Sequence, residues 1–172
     1  MTFVSRKPLP ALLDRIARVV ASTTEDERAA ALAEAIAPAV ADPALLAGLD
    51  CPCGAERYAR HLLHDDPAAG YAVVALVWRP GQMSPVHAHR SWCALGVQQG
   101  TLTETYYAAQ EGKLPEPVTA RLLRPGDTSH GAADPRLIHR LANLSCETAV
   151  SLHCYGVAFE RMATDLNLVL AA

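Results

Sequence analysis

His87, His89 and His139, with Ser151, His153 and Tyr155, are the side chains through which this sequence could do chemistry. His87 and His89 are separated by one residue and lie shortly after the Pro80-Gly81 turn, in a stretch that reads as extended. On a strand, side chains at i and i+2 point to the same face, so two imidazoles placed this way can reach a single ion. The same spacing also fits two partly exposed or core-packed histidines, and it does not choose between these readings by itself. Ser151, His153 and Tyr155 stand at i, i+2 and i+4 of another extended run. Sharing one face, they can form a hydrogen-bonded chain ending in a phenol, or be three satisfied buried polar groups.

The elements that must position these residues are legible in outline. Leu12, Leu13, Ile16, Val19 and Val20 mark the apolar face of a first helix. Thr24 followed by Glu27 is a capping-box signal for a second helix reaching about Val40, and Asp42 before Pro43 opens a short third one. From Arg57 onward the texture changes to short β-rich runs between Pro/Gly turns: Tyr71 to Trp78, Trp92 to Val97, Thr101 to Tyr107, Val118 to Leu123, Leu137 to Leu141 and Thr148 to Tyr155. No helical pattern alternates with them, so a barrel or sandwich is favoured over a parallel α/β sheet. The expectation is one domain over residues 1–172, with residues 1–48 a helical cap and residues 57–160 a β-barrel core.

The surroundings of the histidines resemble the cupins. Gly81, five residues, His87-x-His89, three residues, Cys93, six residues and Gly100 reproduce the spacing of the first cupin motif, with Cys93 in place of the usual glutamate. His139-x-x-x-Asn143 matches the end of the second motif, although Asp134-Pro135-Arg136 replaces its Pro-x-Gly. The resemblance implies a mainly β double-stranded β-helix, or jelly-roll barrel, with one metal ion held by His87, His89 and His139. Three neutral imidazoles leave a divalent ion its full charge, which favours an anionic thiolate as a further ligand.

Within the cupins the chain resembles the thiol dioxygenases, specifically the cysteine dioxygenase type I group. Tyr58-Ala59-Arg60 followed by HLLHDD, the run SPVHAHRSWC with GTLTETYY, IHRLAN around His139, and SLHCYG from Ser151 carry the likeness between Arg57 and Phe159. It implies one Fe(II) per chain, a small thiol such as cysteine and dioxygen as substrates, and cysteine sulfinic acid as product. Zinc would bind the same residues but brings no redox chemistry with dioxygen. The likeness further implies a Ser151–His153–Tyr155 relay and a substrate pocket with Tyr58 and Arg60, whose guanidinium would pair with the substrate carboxylate. Arg57 stands close enough to be the inward arginine instead. Cys93 aligns, counted back from Gly100, with a cysteine that in animal members forms a thioether with the relay tyrosine, but counted from His89 it is one residue early. The alternative is a small buried hydrophobe.

Other candidates point away from chemistry. His61 and His64 fall at i and i+3, which on a regular strand face opposite ways. His130 sits in a turn and reads as solvent-facing, and Trp92 as packing on the barrel wall or lining the pocket. Cys51 and Cys53 lack the second Cys/His pair that a zinc site would want. Five cysteines, an odd number, and an N-terminus without a signal-peptide pattern favour reduced thiols in a cytoplasm. A net charge of -3 without long runs of one sign excludes the footprint of a nucleic-acid binder, and no segment has the length and apolarity to span a membrane. Two other functions fit the pattern less well: a 3-mercaptopropionate or broader thiol dioxygenase, against which Arg60 speaks, and a non-catalytic metal-binding cupin, which has no need of an oriented phenol. Oligomeric state leaves no mark in the sequence.

Overall fold

A computed structural model describes residues 8–171 of the chain; residues 1–7 and 172, included in the expected domain, lie outside the described residues. Helix α1 (Pro8–Ser22) buries Leu12, Ile16 and Val20, four residues apart as one helical face requires. Helix α2 (Glu25–Val40) starts where the Glu27 carboxylate accepts both the backbone N–H and the hydroxyl of Thr24, at 3.4 and 2.7 Å. The expected third helix does not form. After Asp42 the chain passes through successive i→i+3 turns (Leu45 to Asp42, Ala47 to Ala44, Leu49 to Leu46) and is released at Gly48, whose φ is +82°. A segment this short between Pro43 and Gly48 cannot repay the cost of nucleating an α-helix.

The remainder forms two five-stranded antiparallel sheets. One has the order β1 (Ala59–Asp66), β2 (Tyr71–Trp78), β9 (Ala149–Tyr155), β4 (Cys93–Gln99) and β7 (Thr128–Gly131). The other runs β10 (Asn167–Ala171), β3 (Val86–His89), β8 (Ile138–Ala142), β5 (Leu102–Ala108) and β6 (Glu116–Leu123). The alternation of β2 divides the core: Ala72, Val74, Leu76 and Trp78 join Leu95 and Val97 of β4 and Leu102 and Leu141 of the facing sheet in the barrel interior. Tyr71 and Val73 face the other way, onto the two helices. The helices therefore cover the outer face of the first sheet. Helix α2 lies so close to β4 that a Cβ on Gly96 would come within 2.8 Å of the Ile36 and Val40 methyls.

Several local expectations need correction. His61 and His64 do not face opposite ways: a bulge between Leu62 and His64 sets them opposite Ala75 and Val73, which share one face of β2. His61 Nε2 contacts the Pro52 carbonyl at 2.8 Å, and His64 Nε2 the Tyr71 hydroxyl at 3.3 Å, so neither turns into the interior. His130 is exposed but lies on β7 rather than in a turn. Strands β7 and β10 went unnoticed in the sequence, the first for its polar shortness and the second for its place after a helical turn. Trp92 packs on the helical side, against Gly156 and beneath the Arg28 guanidinium, 5.8 Å from its ring centroid. All five cysteines are free thiols. Among the described residues no helix is long and apolar enough to cross a membrane.

Candidate metal centre

His87 and His89 project from one face of β3, and His139 of β8 is the direct register partner of His87. The three side chains are 5–7 % exposed, and one ligand atom from each lies within 4.8 Å of the others. Their ring centroids are 4.6 to 5.1 Å apart. His89 Nε2 and His139 Nε2 approach to 3.1 Å. At that separation the two nitrogens could both reach one metal ion, with His87 as a third donor.

The far nitrogens set the tautomers. His87 donates Nδ1–H to the Pro85 carbonyl (2.9 Å) and His139 donates Nδ1–H to Glu104 Oε1 (2.9 Å). A carbonyl and a carboxylate can only accept, so the neutral form of each ring carries its lone pair on Nε2. Asn167 of β10 stands opposite His89 in register, and its Oδ1 and His89 Nδ1 are both buried without a full hydrogen bond. Burial, reinforced by the other histidines, pushes His87 down to about 4 and His89 well below the usual imidazole range. Both are neutral at pH 7, the form in which an imidazole binds a metal. No acidic side chain belongs to the three-residue group.

The second histidine-containing cluster lies on the facing sheet. Ser151, His153 and Tyr155 of β9 pair with Leu76, Val74 and Ala72 of β2, the interior face. Ser151 Oγ lies 2.8 Å from His153 Nε2, and Tyr155 Oη lies 2.8 Å from His153 Nδ1. Trp78 Nε1–H donates to Ser151 Oγ at 2.9 Å, closing the inner end of the chain. Burial, then the Arg60 charge, hold His153 down to about 3, while burial raises Tyr155 well above its ordinary value. The relay is therefore neutral throughout. The Tyr155 ring is 5.8 Å from that of His89, and a small interior cavity of ≈ 20 Å³ touches all three candidate ligands as well as His153 and Tyr155.

Arg60 pairs with Leu76, so it takes the interior side of β1, whereas Arg57 precedes the strand and is exposed. Arg60 Nε is buried with no hydrogen-bond partner, and the guanidinium is close enough to act on both His153 and Tyr155. Tyr58 stacks on Trp78 with centroids 4.2 Å apart. Cys93 is the register partner of Tyr155, which brings the two side chains to the same face at neighbouring positions. Burial and the Glu104 charge push its thiol up to about 12, so it stays protonated. The turn before β8 that lacks Pro-x-Gly is held instead by Asp134, which accepts the Arg136 backbone N–H (2.9 Å) and its guanidinium.

The sequence reading missed Glu104, Asn167 and Trp78. A signal for Glu104 was present: in Leu102-Thr103-Glu104-Thr105-Tyr106 an acid alternates with large apolar residues, which places it on the inward face.

The family described as cysteine dioxygenase type I matches residues 5–164 of the chain. Among solved structures, an oxalate decarboxylase from Lactobacillus farciminis, in a formate complex, is similar with 17% identity and a TM-score of 0.50, over 69% of this chain and 33% of that one. An uncharacterized conserved protein with a double-stranded β-helix domain from Klebsiella pneumoniae is 16% identical at TM-score 0.49, covering 70% of this chain and 90% of its own. Protein TT1209 of Thermus thermophilus is 18% identical at TM-score 0.49, covering 60% and 87%. At such identities the likeness is one of fold, the double-stranded β-helix of the cupins.

Proposed function

The chain belongs to the cysteine dioxygenase type I family, and from that premise we propose that it is a non-heme Fe(II) thiol dioxygenase that oxidises L-cysteine with dioxygen to cysteine sulfinic acid. The observation that carries this reading is the convergence of three buried imidazoles on one point, with the relay and an arginine whose buried Nε has no partner on the same interior. His87, His89 and His139 would hold one Fe(II) per chain; when bound, it supplies coordination for the substrate thiolate and the electrons that activate dioxygen.

The protein's own groups then orient and enclose. The buried Arg60 guanidinium offers a two-pronged contact to a carboxylate, with Tyr58 beside it, and fixes how far the thiol reaches towards the histidines. In the relay, Trp78 can only donate, so Ser151 is free to donate in turn to His153 Nε2. His153 then donates Nδ1–H to the Tyr155 oxygen, and the phenol keeps its own proton for a group in the cavity. Because burial keeps that phenol protonated, it acts as a hydrogen-bond donor near the reacting oxygen rather than as a base. Both oxygen atoms pass to sulfur. A reducing cytoplasmic location suits five free thiols.

Oxygen uptake by the iron-loaded protein, measured in parallel with cysteine, 3-mercaptopropionate and cysteamine, tests the proposal. Cysteine is expected to have the highest specificity constant and cysteamine, lacking the carboxylate, the lowest. Preference for 3-mercaptopropionate would transfer the chain to that activity, and no uptake with any thiol would reduce it to a metal-binding barrel.

Cys93 and Tyr155, paired across β4 and β9, are placed for a thioether from Sγ to the phenol ring, with dioxygen as the oxidant that accepts the two hydrogens lost. Intact mass after repeated turnover is expected to fall by two hydrogens, and an unchanged mass in active, iron-loaded protein would remove the crosslink.

A further inference from the structure

Glu104 is 1% exposed, in the middle of β5, and a bare carboxylate there would carry a heavy desolvation cost. The fold surrounds it with donors. Arg121 of β6, its register partner, contacts Oε2 through Nε and Nη2 at 3.0 and 2.8 Å; Ser129 of β7 donates to Oε1 at 3.0 Å; and His139 Nδ1–H reaches Oε1 at 2.9 Å. Every side chain bonded to this carboxylate can donate to it, and both of its oxygens are occupied. Three strands and three partners are thus committed to keeping an anion at one position. That position is one imidazole ring away from the candidate metal centre.

We infer that Glu104 is a positioning residue of the metal centre, fixing His139 in its Nδ1–H tautomer and supplying through that ring the negative charge the three-histidine ligand set lacks. The inference rests on the metal-binding reading of His87, His89 and His139. Glu104 is not a displaced fourth ligand: Oε1 bonds the nitrogen of His139 that faces away from Nε2, and the ligand group does not include it. A carboxylate hydrogen-bonded to a ligating imidazole raises the basicity of the ring and holds its plane, so a cation is bound more tightly without any change in the ligands themselves. Arg121 offsets this charge only in part. Its side chain is 47% exposed, so water screens it, whereas Glu104 and His139 interact in the interior. Ser129 also lies 3.4 Å from the Tyr106 hydroxyl, and Arg121 stacks over the Tyr106 ring at 5.9 Å, so the outer groups stiffen the carboxylate.

The test is the dissociation constant of the purified full chain for Fe(II), titrated anaerobically, and for redox-inert Zn(II). Glu104→Gln keeps the shape and can still accept from Nδ1 but removes the charge; it is expected to weaken both metals about 10- to 100-fold in the folded protein. Arg121→Met removes the outer cation and leaves the Glu104–His139 bond, so its affinity is expected to exceed that of the parent. A merely structural network predicts lowered melting temperatures for both variants with metal affinity unchanged in the folded fraction. Parent-like affinity in folded Glu104→Gln overturns the inference and leaves the metal centre standing, whereas a parent chain that binds neither metal overturns both. If Glu104→Gln does not fold, Arg121→Met decides alone: affinity above the parent supports the inference, and affinity at or below the parent overturns it.

Discussion

His139→Ala protein is expected to emerge from desalting without stoichiometric iron and to consume no oxygen with any thiol. The size of the effect follows from position. Loss of an outer hydrogen-bond partner to a ligating histidine weakens metal binding about 10- to 100-fold, so deleting the imidazole itself must cost more than about 100-fold. His139 is also the ring that joins the two layers of the site: it pairs with His87 across β3 and β8, approaches His89 at 3.1 Å, and donates its Nδ1–H to Glu104. Its removal leaves that carboxylate with only Arg121 and Ser129, so the melting temperature should fall as well. The measurement is metal per chain on protein shown by circular dichroism to retain its strands. A folded variant that keeps one iron per chain would mean that the third ligand lies elsewhere.

What could be read from the sequence was whatever depends on parity along one strand. The shared face of His87 and His89, and that of Ser151, His153 and Tyr155, follow from the two-residue period, and the structure places both sets inward. Parity failed where the strand is irregular: the bulge at Leu62 to His64 inserts a residue, so His61 and His64 end on one face although their spacing says otherwise. Nothing local reveals which strands become neighbours. That Cys93 lies opposite Tyr155, that Asn167 stands beside His89 on an unforeseen strand, and that Glu104 of β5 reaches His139 of β8 are facts of register between segments far apart in the chain. Family likeness could name the candidate ligands because motif spacing records them, yet the residues that hold those histidines are visible only once the sheets are assembled.

Arg60→Ala is the second substitution with a large expected effect, and it separates substrate recognition from metal binding. Arg60 takes the interior side of β1 opposite Leu76, its Nε is buried without a partner, and its charge is felt by His153 and Tyr155 on β9 of the same sheet. An unpaired buried guanidinium nitrogen is costly in the free protein, and a substrate carboxylate arriving there removes that cost while gaining a charge-assisted bond. Loss of such a contact leaves the carboxylate uncompensated, which costs about 2 to 5 kcal/mol, or roughly 30- to 5,000-fold in kcat/KM for cysteine. Iron content should not change, because Arg60 touches none of the three histidines' hydrogen-bond partners. Cysteamine provides the internal control: without a carboxylate it gains nothing from Arg60, so its rate should move little and the preference for cysteine should collapse. Arg57→Ala, at an exposed position before the strand, should leave both substrates within about twofold of the parent, as surface substitutions usually do. If Arg60→Ala instead slows cysteine and cysteamine equally, the arginine acts through the electrostatics of the relay, and the carboxylate must be held by another group.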